Sequence, residues 1–220
     1  MWTDSELQHE VEKEVGWELN AGLTKISVMA KGGAVDLTGH VDSYWERCVA
    51  ERAAWRVVHV HQVANHIRVL IPASKQRTDD DIALAAMGTF EWNCLVPDTI
   101  EIQVKDGMVT LEGHVERQEQ KAEAERALAT LTGITGIRNQ IEIKPSVTLA
   151  DLKAPIEAAL RRNALVDSGH IKVHVSHGVV SLRGTARSRC EYEEAMNAAW
   201  AAPGILKIDD HITIGSGKGE

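Results

Sequence analysis

Asp106-Gly107-Met108-Val109-Thr110-Leu111-Glu112-Gly113 reads as a turn, an alternating strand and a closing glycine, and the chain contains this pattern three times. Its counterparts are Gly32-Gly33-Ala34-Val35-Asp36-Leu37-Thr38-Gly39 and His177-Gly178-Val179-Val180-Ser181-Leu182-Arg183-Gly184. The closing glycines stand 74 and 71 residues apart. A fixed period of this size makes the chain an array of small units. The 220 residues divide at 1–73, 74–147 and 148–220, each close to the lower size limit for folding alone.

Working outward, the turn is preceded by a second alternating run: Ile26/Val28/Ala30, Ile100/Ile102/Val104 and Ile171/Val173/Val175. Strict alternation gives each strand one buried and one wet face, and Asp-Gly between two such runs is a strong hairpin signal. The second strand buries Val35/Leu37, Val109/Leu111 and Val180/Leu182. Upstream, Thr3-Asp4-Ser5-Glu6, Thr78-Asp79-Asp80-Asp81 and Thr148-Leu149-Ala150-Asp151 place a threonine three residues before a carboxylate, a capping-box start for a helix. Helical spacing follows in Leu7/Val11/Val15, Ile82/Ala86/Phe90 and Leu152/Ile156/Leu160, with Pro155 early enough to be tolerated. Downstream, a second helix carries small residues three apart, Ala50/Ala53, Ala124/Ala127 and Ala195/Ala198, and exits at Gly133 and Gly204, where the first copy has His59. A last strand buries Val63/Ile67/Val69, Ile137/Ile141/Ile143 and Ile208/Ile212/Ile214.

Each unit is therefore αββαβ, and the fold class is α+β: a three-stranded mixed sheet with two helices on one face. The hairpin is antiparallel and the β-α-β crossover parallel and right-handed. Short proline-containing linkers, Pro72-Ala73-Ser74-Lys75-Gln76-Arg77 and Lys144-Pro145-Ser146-Val147, join the units, and Gly215–Glu220 reads as a flexible tail.

The net charge of −8 is uneven. The first repeat carries 7 basic and 10 acidic side chains, the second 8 and 13, and the third 9 and 9. So acidic a chain argues against nucleic acid as the main partner. No apolar run approaches the ~18 residues of a membrane span. The first residues enter an amphipathic helix with neither a basic leader nor an apolar signal core, which gives a cytoplasmic expectation. Cys48, Cys94 and Cys190 are odd in number and lack metal-site or disulfide spacing.

The αββαβ unit, the Val109-Thr-Leu-Glu-Gly-His-Val115 hairpin strand and the Gly133-Ile-Thr-Gly-Ile-Arg-Asn139 exit resemble the BON (bacterial OsmY and nodulation) domain. The likeness covers about residues 3–71, 78–145 and 148–215. It departs at His59 in the first repeat, and at Asp209-Asp210 in the third, where the others carry Ala64-Asn65 and Arg138-Asn139. The resemblance implies a stress-associated protein without catalytic residues or cofactors. It further implies binding to phospholipid surfaces and, in one group, to potassium.

Candidate contacts concentrate in the third repeat. Arg161, Arg162, Lys172, Arg183, Arg187 and Arg189 are six of its nine basic residues, and alternation sets His170, Lys172, His174, Arg183 and His211 on one open sheet face. Basic side chains near an anionic membrane contribute about 1 kcal/mol each. Lys172 and Arg183 disfavour a metal there, and histidines charging below about pH 6.5 would make the face a pH-sensitive anion patch. Arg187 and Arg189 stand at a helix start, where the dipole disfavours cations. Of six tryptophans, Trp17/Trp92 and Trp55/Trp200 recur at equivalent positions and are expected to pack against the sheet edge. Trp2 and Trp45 have no counterparts and are the expected exposed aromatics.

The leading functional expectation is non-enzymatic docking on anionic phospholipid surfaces or envelope-associated partners, with no metal and no cofactor. A soluble sensor of K⁺ or Ca²⁺ is the alternative, with Asp79, Asp80, Asp81, Asp98 and Asp106 as loose ligands. A third is a scaffold that self-associates into a homo-oligomer, or takes protein partners, through its strand edges.

Overall fold

The computed structural model describes residues 2–19, 25–145, 156, 158, 170–176, 178–202 and 205–215. The first repeat contains α1 (Asp4–Leu19), β1 (Ile26–Lys31), β2 (Ala34–Val41), α2 (Tyr44–Arg56) and β3 (Gln62–Val69). The second contains α3 (Asp79–Glu91), β4 (Ile100–Lys105), β5 (Met108–Val115), α4 (Gln118–Leu128) and a last strand in two pieces, β6 (Gly136–Asn139) and β7 (Glu142–Ile143). The third contains β8 (Ile171–Ser176), β9 (Val179–Ala186), α5 (Arg189–Trp200) and β10 (Lys207–Ile214). Its expected first helix falls largely outside the described residues, as does the tail after Gly215. Ile156 within that helix is helical and fully buried in the third core.

Every sheet has the expected mixed order. The middle strand pairs antiparallel with its hairpin partner, Ile26 opposite Gly39, Ile100 opposite Gly113 and Ile171 opposite Gly184. On its other side it pairs parallel with the strand that returns after the helix. The glycine that closes each hairpin strand now has a physical reason. At Gly39, Gly113 and Gly184 φ is +120°, +118° and +148°, and a Cβ would stand 2.0, 2.1 and 1.9 Å from the carbonyl oxygen of Lys25, Thr99 and His170. The paired strand enters so closely there that only glycine fits.

The first core gathers Leu7, Val11 and Val15 of α1 with Val28, Val35, Leu37, Ala50, Ala53 and Ile67. The third gathers Ile156, Val180, Leu182, Ala195, Ala199 and Ile212. Each set comes from one repeat alone. Small alanines let the second helix lie close on the sheet, as the spacing predicts. The chain divides into two compact units, Met1–Val115 with Glu119–Glu142, and Glu116–Gln118 with Ile143–Glu220. The first two repeats thus share a unit.

Candidate binding surface

Hydrogen bonds accepted by acidic side chains pin the first helices of the first two repeats to their hairpins. Asp79 accepts from the backbone N–H groups of Asp106 and Gly107, both at 2.9 Å, and Asp4 accepts from Gly32 at 2.8 Å. Asp81 completes a capping box with Thr78, which holds its carboxyl below the usual carboxylate range. Two of the five acids expected to gather round a cation are therefore engaged with the fold itself. Among the described residues no group of three or more His, Cys, Asp or Glu side chains is placed to hold a metal.

The last strand is locked to the second helix by one side chain. Asn65 donates to the Arg47 carbonyl at 3.3 Å and to the Glu51 carboxylate at 3.0 Å, while its own oxygen accepts from Ile67 N–H at 3.1 Å. Asn139 repeats this with Lys121, Glu125 and Ile141. In the third repeat Asp210 lacks the amide donor, and two other changes accompany it. Met196 stands where Glu51 and Glu125 stand, removing a carboxylate that would repel Asp210, and the Tyr192 hydroxyl donates to Asp210 at 2.6 Å. Burial and that hydrogen bond push the Tyr192 phenol up to about 12. Sequence reading noted the Asp209-Asp210 departure without this reason.

The helix exit shows a similar substitution. His59 adopts φ +73°, the left-handed bend that Gly133 makes at +96°. At Gly133 a Cβ would meet Arg77 Cβ at 2.9 Å; in the first repeat Trp2, aligned with Arg77, instead packs against the His59 ring at 5.6 Å between centroids. Trp2 is 44% exposed, so the expected exposure holds, with one face engaged.

The basic face of the third sheet is laid out by register. Lys172 of β8, Arg183 of β9 and His211 of β10 form one cross-strand row, and His174, Ser181 and Asp209 form the next. Lys172, His174, Arg183 and His211 are exposed. Like charges directly opposite destabilise a sheet, so the Lys172–Arg183 pair costs stability. The acid on this face, Asp209, is taken by Lys207 at 2.6 Å, which lowers its pKa. The Ser181 hydroxyl is covered and has no hydrogen-bond partner. His170 is exposed in the turn just before β8 rather than within it. Arg187 precedes the Ser188 cap, and its N–H donates to the buried Glu191 carboxylate at 2.7 Å. Arg189 opens α5 against the dipole but pairs with Glu193 at 2.8 Å and stacks over Tyr192 at 4.7 Å, which explains its tolerance. Arg161 and Arg162 lie outside the described residues.

The tryptophan expectation needs correction. Trp55 and Trp200 do pack against their cores. Trp17 and Trp92 do not: they are 81% and 92% exposed, the most exposed of the large apolar side chains described. On α3 Leu84 and Met87 are exposed three residues apart, and Trp92 and Leu95 are exposed in the turn beyond it. Helix phase explains this. Trp17 stands two residues, some 200° of rotation, beyond the core residue Val15, and Trp92 stands likewise beyond Phe90. Trp45 is 42% exposed, as expected, at the N-terminal turn of α2.

The αββαβ arrangement seen in the first two repeats, and in the described part of the third, is that of a tandem array of small α+β modules. The BON domain model matches residues 3–70, 78–145 and 148–216, and the chain belongs to the BON domain family. It is 26% identical over 125 residues to osmotically-inducible protein Y of Escherichia coli (strain K12), a match covering 51% of this chain and 60% of that protein. It is 24% identical over 123 residues to an uncharacterized protein in the gshII 5′ region of Anaplasma centrale, covering 53% and 82%. Two solved structures align along most of their length with low similarity. The type III secretion structural protein CdsD of Chlamydia trachomatis has 13% identity over 96% of this chain and 92% of that chain, with a TM-score of 0.27. The periplasmic domain of PrgH from S. typhimurium has 14% identity over 91% and 99%, with a TM-score of 0.24. No described helix is long and apolar enough to cross a membrane.

Proposed function

We propose that this chain is a non-catalytic, stress-associated contact protein that docks on anionic phospholipid surfaces, and that residues 1–73, 74–147 and 148–220 are its modules. The stress association rests on its family and on its likeness to osmotically-inducible protein Y. The observation that carries the docking is the exposure of Trp17 and Trp92 at equivalent helix ends. An indole in water costs the energy of apolar hydration, and at a bilayer interface that cost is relieved. Leu84, Met87 and Leu95 widen the apolar contact around Trp92. The Lys172–Arg183–His211 row supplies the attraction to phosphate, at ~1 kcal/mol per basic side chain near an anionic surface. Arg161, Arg162, Arg187, Arg189, His170 and His174 are the further anion-contact candidates of the third repeat. Cell fractionation tests the proposed cytoplasmic compartment.

Co-sedimentation with vesicles of phosphatidylglycerol or phosphatidylcholine tests the docking. Binding is expected to need phosphatidylglycerol and to fall as salt rises from 50 to 500 mM; equal binding to phosphatidylcholine at both salts would remove the proposal. Self-association is a second reading, favoured by the same α3 stripe. It predicts a light-scattering mass that doubles with concentration and a Leu84→Lys variant that stays monomeric.

A further inference from the structure

The first compact unit contains a cavity of about 350 Å³ where the first two repeats meet. Its walls come from three places in the chain: the start of α2, the linker turn Ala73–Lys75, and the loop between α4 and β6. Ile134 is buried beneath it, while Trp45, Lys75 and Thr132 are exposed at its rim. The volume falls within the ~300–1,000 Å³ that small-molecule sites occupy, and the mixture of apolar wall and a few polar groups is the mixture such sites show.

Two side chains give the cavity a chemical preference. Trp45 has no aromatic counterpart, since the aligned residues are Glu119 and Cys190, and it is neither in the core nor on the α3 stripe. Its side chain lines the cavity and is 42% exposed. Lys75 is held by an ordered turn, in which its own N–H bonds Pro72 and the next N–H bonds Ala73. The acid in the lining, Asp42, is already paired with Lys25 at 2.8 Å, so Lys75 is the uncompensated charge. Lys25 is the main cause of the depressed Asp42 pKa, with Lys75 adding to it, which places the second cation within electrostatic reach. An ammonium and an aromatic face on one small cavity complement a flat ring that bears an anionic group.

We infer that this cavity binds a small planar organic anion, its ring against Trp45 and its carboxylate, sulfonate or phosphate toward Lys75. The site is separate from the docking surface and does not depend on it. In the second repeat Glu119 replaces the tryptophan, so the site belongs to the junction of the first two repeats.

The test is a titration of the full chain with 2-naphthoate, followed by ¹⁵N NMR, with 2-naphthylmethanol as the uncharged control. Saturable one-to-one shifts are expected at the Trp45 indole N–H and at the Thr132 and Ile134 amides. Trp45→Ala should abolish them. Lys75→Gln should weaken binding about tenfold and Lys75→Arg should restore it, while the alcohol should bind the wild type no better than naphthoate binds Lys75→Gln. Both positions are exposed, and unchanged amide spectra elsewhere would establish that the variants fold. Non-saturating shifts at Trp17 and Trp92 without movement at Trp45 would overturn the assignment. So would a Lys75→Gln affinity equal to wild type.

Discussion

Two glycine-to-alanine substitutions in one repeat should move stability in opposite directions. Gly113 has φ +118°, and an added Cβ would lie 2.1 Å from the Thr99 carbonyl oxygen. That oxygen is backbone, so the clash is relieved only by prying β4 from β5, where Ile100 faces Gly113. The backbone strain costs ~1–3 kcal/mol, and each ladder bond that loosens adds ~0.5–1.5 kcal/mol. A total near 3–5 kcal/mol is comparable with the ~4–10 kcal/mol that a unit of this size holds at ~0.05–0.15 kcal/mol per residue. Gly113→Ala should therefore unfold or nearly unfold the second repeat. Gly88, inside α3, meets nothing within 4 Å, so alanine there should add ~0.5–1 kcal/mol. A chain of several units does not melt in two states, so amide hydrogen exchange is the assay, read at Leu111 and, for the third repeat, at Leu182. Protection of Leu111 should drop about 100-fold or more in Gly113→Ala and rise several-fold in Gly88→Ala, with Leu182 unmoved. Protection of Leu111 within threefold of wild type in Gly113→Ala would refute the close-approach argument.

Exchanging the strand lock between repeats offers a second check. Asn139→Asp should cost ~1–3 kcal/mol by setting a carboxylate against Glu125 and removing a donor, and adding Glu125→Met should recover part of it; a double-mutant cycle on amide exchange at Leu111 measures the coupling. Acid should destabilise the first two repeats. Glu6, Asp42 and Asp81 have depressed pKa values, held by Thr3, Lys25 and Thr78 in turn. Their contribution is complete above the unfolded carboxylate pKa near ~4 and is lost as pH falls through the lower folded values. Amide protection factors at Leu37 and Leu111 should fall below about pH 4, and at Leu111 less steeply in Asp81→Asn. Both tyrosines of the chain titrate late: burial, then Cys48, raises Tyr44, and Tyr192 stands at about 12. Absorbance at 295 nm should thus show no phenolate step at the ordinary value of about 10 in folded protein, and one such step in 8 M urea.

The fold was legible because its determinants are local. Alternation at Val109 and Leu111 fixes which face of the hairpin is buried, the turn glycines fix the reversal, and threonine–acid pairs fix the helix starts. Three copies let each weak signal support the others. What escaped were features set by contacts between distant residues. Nothing near Gly113 in sequence announces the Thr99 carbonyl, and nothing near Asp210 announces that Met196 and Tyr192 compensate for it. The exposure of Trp17 and Trp92 was in principle readable, since 200° of helical rotation separates them from Val15 and Phe90. Repetition at equivalent positions does not distinguish packing from a surface feature, because both leave the same trace. The cavity at Trp45 and Lys75 depends on how two repeats meet, which no single-repeat pattern encodes.

Vesicles containing phosphatidylglycerol with brominated acyl chains test the docking proposal most directly, because bromine quenches only indoles that enter the acyl region. Docking through the helix ends requires strong quenching of the wild type and loss of most of it in a folded Trp17→Ser/Trp92→Ser variant. Quenching that survives the double substitution, or a wild type left unquenched while bound, would contradict it.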